Sequence, residues 1–175
     1  MKQPSCFREF ARYASLNVLG MIGLSCYILA DTYFISLGMG ADGLAALNLA
    51  IPVYSFIHGS GLMVGMGGGT KYSIRQNQGE PEEANRAFSA SVLLAAGFAV
   101  VFFLAGLLLP GTLARLLGAD GAVFEMTATY LQVILLFAPM FLFNNLFLCF
   151  VRNDGAPQLA MAAMVLGSLS NVVLD

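Results

Sequence analysis

The sequence predicts an all-α integral membrane protein with five transmembrane helices. Three observations carry that prediction. The chain is 58% hydrophobic and only 10% charged, against about 25% charged residues in ordinary soluble domains. Its charges are confined to short segments between uncharged runs at 13–30, 43–70, 87–114, 126–151 and 155–174, each long enough to reach the roughly 18 residues a helix needs to cross hydrocarbon. Finally, the runs are continuously apolar rather than alternating, which selects helices over barrel strands.

Each span is bounded by recognisable punctuation. The first, over 12–37, begins at Arg12 and ends in the glycines of GMGADG. Its apolar core is too long for a cleavable signal peptide, and four more spans follow it. The second covers 44–70 and closes on GMGGGTK. The polar hinge QNQGEPEEANRAF comes next, with Pro81 placed to open a helix, and the third span covers 86–110. A second GADG, at Gly118–Gly121, precedes the fourth span at 124–150. NDGAP, with Asp154, Gly155 and Pro157, turns the chain into the fifth at 157–175. The repeated GADG reads as common turn composition more readily than as a duplicated hairpin.

Charge sets the expected orientation. With alternating spans, Lys2, Arg8, Arg12, Lys71, Arg75, Arg86 and Arg152 fall on one side and Arg115 alone on the other. The positive-inside rule then places the N-terminus in the cytoplasm of a plasma (inner) membrane protein. A net charge of −2 gives no footprint for nucleic acid. Cys6, Cys26 and Cys149 form no CxxC pair and are expected to be small core hydrophobes, with no metal or disulfide role.

Two glycine motifs invite a cofactor reading and fail it. GMGADG fits the dinucleotide spacing, but a membrane-helix pattern precedes it and no acid follows near residue 62. GMGGGTK has the wrong glycine spacing for a phosphate loop, and its glycines are expected to permit close helix packing or local unwinding. His58 is expected to be a packed polar residue, titration being the alternative.

Asp31 is the outlier. It is the only charged residue between Arg12 and Asp42, and a charge at mid-membrane costs about 2.5–3.5 kcal/mol on insertion scales. In the last span Asn171 and Asp175 are spaced to share one helical face. Counted from Arg12 and Pro157, Asp31 and Asp175 both lie roughly 27–28 Å above the cytoplasmic boundary, and Tyr130 reaches a comparable level from the outer side. Two carboxylates in a low-dielectric layer require a bound cation or a proton, and oxygen ligands suit a hard cation such as Na+. Chance alignment or extracellular exposure is the competing account.

At these residues the sequence resembles the multidrug and toxic compound extrusion (MATE) family. The resemblance rests on ADTYFISLGMGADGLAALNLAIPV, GMGGGTKYSIRQNQGEPEEANRAF, ATYLQV and SNVVLD, in order along nearly the whole chain. It implies secondary antiport, with Na+ or H+ entering as a drug-like, cationic compound leaves, in a fold of twelve helices arranged as two six-helix lobes. It further implies that Asp31, Asn171 and Asp175 form the coupling-ion or proton site, with Tyr130 nearby, and that residues 1–175 are part of the N-terminal lobe. The abrupt end at Asp175 reads as a fragment boundary, so the chain is expected to require the rest of the transporter and to be inactive alone. Its other expected contact is membrane lipid, and no cofactor beyond the coupling ion is implied. The alternatives are a lipid-linked precursor flippase of the same superfamily, which would be expected to carry basic residues in its cavity, and a non-transporting remnant. An intramembrane enzyme is the weakest option, since no nucleophile–base pair or HExxH motif occurs.

Overall fold

The computed structural model describes residues 6–174. They form α1 (Cys6–Asn77), α2 (Pro81–Leu108), α3 (Pro110–Leu116), α4 (Gly121–Leu136), α5 (Ala138–Asn153) and α6 (Pro157–Leu174). By length and composition, two helices among the described residues can cross a membrane, Ile28–Asn77 and Pro81–Leu108; α4 and α5 make a third if counted as one bent span. Gln158–Gly167 is apolar but shorter. The five apolar runs therefore do not appear as five uniform, straight spans.

The first departure is at residues 38–43, where the sequence predicts a turn. Helical structure runs through this stretch and breaks only at Gly40, with φ 64° and ψ −149°. That backbone conformation is essentially restricted to glycine. Gly40 thus joins two arms, residues 6–39 and 41–77, by a one-residue kink. Next along the chain is Pro52, which stays inside the second arm without ending it. The two GADG sequences therefore do different things. The second forms a true connection, in which Asp120 caps α4 by accepting from the Gly121 N–H at 3.0 Å.

The second departure is a 47° bend between α4 and α5 inside the fourth apolar run. Pro139 lies at the start of α5, has no N–H to give to the preceding turn and crowds the carbonyl four residues earlier. The ladder consequently breaks at Phe137. Proline acts differently before α2, where Pro81 opens the helix after the turn at Gly79, which has a φ of 78°.

The second arm of α1, α2, α4 and α5 enclose the core, while α6 packs on α1 and α5. Alanine dominates its buried positions, including Ala50, Ala84, Ala95, Ala114 and Ala138, each fully buried. Larger groups fill the remaining space, among them Ile57, Leu131, Leu135, Leu142 and Leu146. Outward positions are apolar and large; Leu93 and Leu116 are 75% and 78% exposed. Such a surface suits lipid, in which helices associate by close packing of small residues rather than by hydrophobic burial.

The glycines of the second arm follow this rule. A Cβ added at Gly65 would meet Cys149 Cβ and Sγ at 3.0 Å, and one at Gly68 would lie 2.0 Å from Ser91 Oγ. The GMGGG stretch is therefore a packing surface on an intact helix, and no unwinding occurs there. Cys149 is buried against it, whereas Cys26 is exposed, contrary to the expected core placement; the Cys6 side chain lies outside the described residues.

One end of the bundle gathers charge. Arg75 pairs with Glu80, and Arg86 with Glu83 at 2.9 Å. The Tyr72 hydroxyl donates to Asp154 Oδ1 at 3.3 Å, tying the second arm to the end of α5. At the opposite end, the Arg115 guanidinium lies over the Phe124 ring, 5.2 Å from its centroid.

Candidate functional site

The first arm of α1 carries Asp31 among apolar neighbours, and Asp31 is half-buried. Beside it the Thr32 hydroxyl donates to the Ile28 carbonyl at 2.7 Å, and two turns earlier the Ser25 hydroxyl donates to the Met21 carbonyl at 3.0 Å. These bonds satisfy short polar side chains within their own helix, so neither needs a partner from lipid. Asp31 itself is engaged with another group.

Ile35 is one turn further along the same helical face. With Met39 and Leu47 from the two arms, and Met126, Tyr130 and Val133 from α4, it lines a cavity of about 410 Å³. The cavity thus bridges the Gly40 kink and the first half of the bent α4–α5 pair. Its walls are apolar apart from Tyr130 and Thr129, and no Lys or Arg lines it. Gly43 also faces this space, with room for nothing larger: an added Cβ would sit 2.4 Å from Met39 Cβ.

Of the four residues singled out by the sequence, Tyr130 lines this cavity and Asp31 stands about 6 Å along the helix from a lining residue. Tyr130 is half-buried and, like Asp31, engaged with another group. Asn171 lies near the end of α6, its side chain outside the described residues, and Asp175 lies outside them altogether. Among the described residues no three His, Cys, Asp or Glu side chains cluster to hold a metal ion.

A second polar constellation escaped the sequence reading. The Asn145 Nδ2 lies 2.9 Å from His58 Nδ1. An amide nitrogen only donates, so in this pairing Nδ1 is the acceptor. Tyr54 stacks on the imidazole with ring centroids 6.0 Å apart and meets Phe141 edge-on at 5.6 Å. Asn145 is buried, and the close approach is possible because Gly61 lacks a side chain; a Cβ there would lie 3.1 Å from Asn145 Cβ. A visible signal existed in Asn144–Asn145, two amides inside an uncharged run.

Comparison with known proteins gives a consistent result. The family model described as MatE matches residues 17–175. The multidrug export protein MepA of Staphylococcus saprophyticus is 27% identical over 176 residues, covering 99% of this chain and 39% of its own length. MepA of Staphylococcus aureus strain MRSA252 is 27% identical over 171 residues, with 97% and 38% covered. Among solved structures, a MOP superfamily transporter from Pyrococcus furiosus, described as having a binding pocket of reverse polarity suggesting a different function, superposes with a TM-score of 0.86 at 32% identity. An outward-facing multidrug resistance MATE family transporter gives 0.85 at 32% identity. Both comparisons cover 94% of this chain and 36% of the other. The chain therefore spans about 39% of the length of the curated relatives it matches.

Proposed function

The chain belongs to the MatE family of multidrug efflux transporters, and on that premise we propose that it forms five spans of one lobe of a secondary antiporter. The whole transporter exports drug-like organic cations in exchange for Na+ or H+. Asp31, Asn171 and Asp175 hold the coupling ion or proton, with Tyr130 beside them. The observation that carries this reading is a half-buried carboxylate in an apolar arm, one turn from a residue lining an apolar cavity. A carboxylate so placed is neutralised either by a cation or by protonation, and exchange between the two states couples ion entry to drug exit.

The N-terminus is cytoplasmic in this proposal. Tyr72 and Asp154 draw the 78–80 turn and the end of α5 to one end of the bundle, together with Lys71, Arg75, Arg86 and Arg152, while Arg115 stays at the other. The 175 residues are one part of the machine, and export requires the remaining helices.

A flippase for lipid-linked precursors is the second reading, kept because one structural neighbour is described as having a pocket of reverse polarity. Phosphate groups call for basic side chains. The absence of Lys and Arg from the lining of the cavity beside Asp31 favours the drug reading.

The test is ethidium efflux from proteoliposomes containing the full-length protein under imposed Na+ or pH gradients. Asp31→Asn should abolish gradient-driven efflux while preserving expression. Unchanged gradient dependence in that variant would move coupling elsewhere.

A further inference from the structure

A second cavity, of about 310 Å³, opens at the charged end of the bundle, remote from Asp31 along the chain. Tyr72 from α1, Asn85 and Phe88 from α2, and Phe147, Phe150 and Asp154 from α5 form its wall. Its size is at the lower end of ligand pockets. The aromatic rings are mutually braced: Phe150 meets Tyr72 edge-on at 5.6 Å and Phe88 at 5.0 Å. Phe147 stacks on Phe143 at 5.9 Å and remains 46% exposed.

We propose that this cavity binds an organic cation, a quaternary or protonated amine on an apolar body, between the rings and the Asp154 carboxylate. Two independent features select a cation. Aromatic faces attract positive charge through their quadrupoles. The carboxylate is held at the rim by the Tyr72 hydroxyl at 3.3 Å, and Asp154 stands at the C-terminal cap position of α5, where the helix dipole adds negative potential. Among the described residues no Lys or Arg forms a salt bridge with Asp154. The nearest base in sequence on α5, Arg152, points elsewhere, with a guanidinium nitrogen 2.8 Å from Met164 Sδ on α6. Lys71 adjoins Tyr72 but does not line the cavity, and the α2 side contributes an amide and a phenyl ring rather than a charge.

The cation has two possible sources, a soluble drug or the amine of a phosphatidylethanolamine headgroup. Its lining shares no residue with the cavity beside Asp31, so it stands or falls independently of the antiport reading. If that reading also holds, the cavity captures substrate at the cytoplasmic mouth.

The experiment measures ethidium binding by fluorescence to the full-length protein in phosphatidylglycerol nanodiscs, in an Asp31→Asn background that disables the coupling site. Adding Asp154→Asn should weaken binding about tenfold, and Phe147→Ala several-fold. Asp154→Glu should retain most affinity, and Glu82→Gln, an exposed acid outside the cavity, should change nothing. Phosphatidylethanolamine that competes with ethidium only when Asp154 is present identifies the lipid amine as an occupant, and absence of competition identifies a soluble cation. Affinity within about twofold of the background in both Asp154→Asn and Phe147→Ala overturns the site. Gradient-driven efflux that survives Asp31→Asn, with Asp154-dependent binding intact, would withdraw the coupling role of Asp31 and leave this site standing.

Discussion

Asn145 donates a 2.9 Å hydrogen bond to His58 across 87 residues of sequence, and Gly61 makes room for it. The pair joins the second arm of α1 to α5, with Asn145 buried and His58 half-buried. Replacing Asn145 by Leu leaves the imidazole nitrogen without its donor, while changing His58 to Phe as well removes the orphaned group. Thermal unfolding of the four-member cycle in detergent should give a coupling of about 0.6–1.7 kcal/mol, the range seen for hydrogen bonds between membrane helices. Strict additivity would show that the bond contributes nothing to stability.

Gly38 and Gly40 make a controlled comparison. Neither would bring a new Cβ within 4 Å of another atom, yet only Gly40 has a positive φ. Gly40→Ala should destabilise by roughly 1–3 kcal/mol through backbone strain alone. Gly38→Ala, within the helix, should be neutral or stabilising by up to about 1 kcal/mol. Equal melting temperatures for the two variants would remove the kink from the account.

Gly68→Ala should destabilise by about 1–3 kcal/mol, since its methyl would press on Ser91 Oγ at 2.0 Å and Cβ at 2.9 Å. Ser91→Gly clears both atoms and should recover most of the loss. Failure of this rescue would direct attention to Phe150 Cζ, 3.2 Å from the same point.

Asp31 and Asp175, if they share one cation or proton, should behave as a unit. Asn at either position should abolish coupled efflux, and the double substitution should lower efflux little further. Asn171→Ala removes a neutral ligand and should weaken ion dependence less. Two independent, multiplicative losses in proteoliposome assays would separate the carboxylates into different sites.

Orientation is open to direct measurement. A cysteine at position 80 in a Cys-free background should react with a membrane-impermeant thiol reagent only after cells are opened, because seven of the eight Lys and Arg residues are expected on that side. Labelling of intact cells would invert the topology.

The legible parts of this fold were those written in local chemistry. Long uncharged runs marked the helices, Pro81 marked the opening of α2, and Asp31 announced itself by the expense of its setting. The kink at Gly40 was hidden because two glycines and Asp42 have turn composition, and nothing local reveals that the chain leaves helical geometry for a single residue. Pro139 was visible in the fourth run, but unbroken hydrophobicity concealed the bend it causes. The partnership of His58 with Asn145 was illegible for a different reason: it depends on which helices meet and on the missing side chain at Gly61. Asp31 and Tyr130 were expected at one depth; Tyr130 lines the cavity beside Ile35, and Asp31 stands one helical turn from Ile35 without lining the cavity.

The alanine-rich seams between the helices carry a mechanical consequence. A methyl group projects little beyond the backbone, so surfaces of Ala50, Ala84, Ala95 and Ala114 present shallow corrugation to their neighbours. Interdigitated leucines act as gear teeth, and slippage past them requires rotamer changes and transient voids. Shallow seams act as plain bearings, on which one helix can slide a fraction of an ångström while contact is maintained. Small sliding of packed helices is a recognised mode of shear. The larger buried groups, Ile57, Leu135 and Leu142, gather in one cluster near the α4–α5 bend, and there they would serve as the pivot about which such sliding becomes rotation.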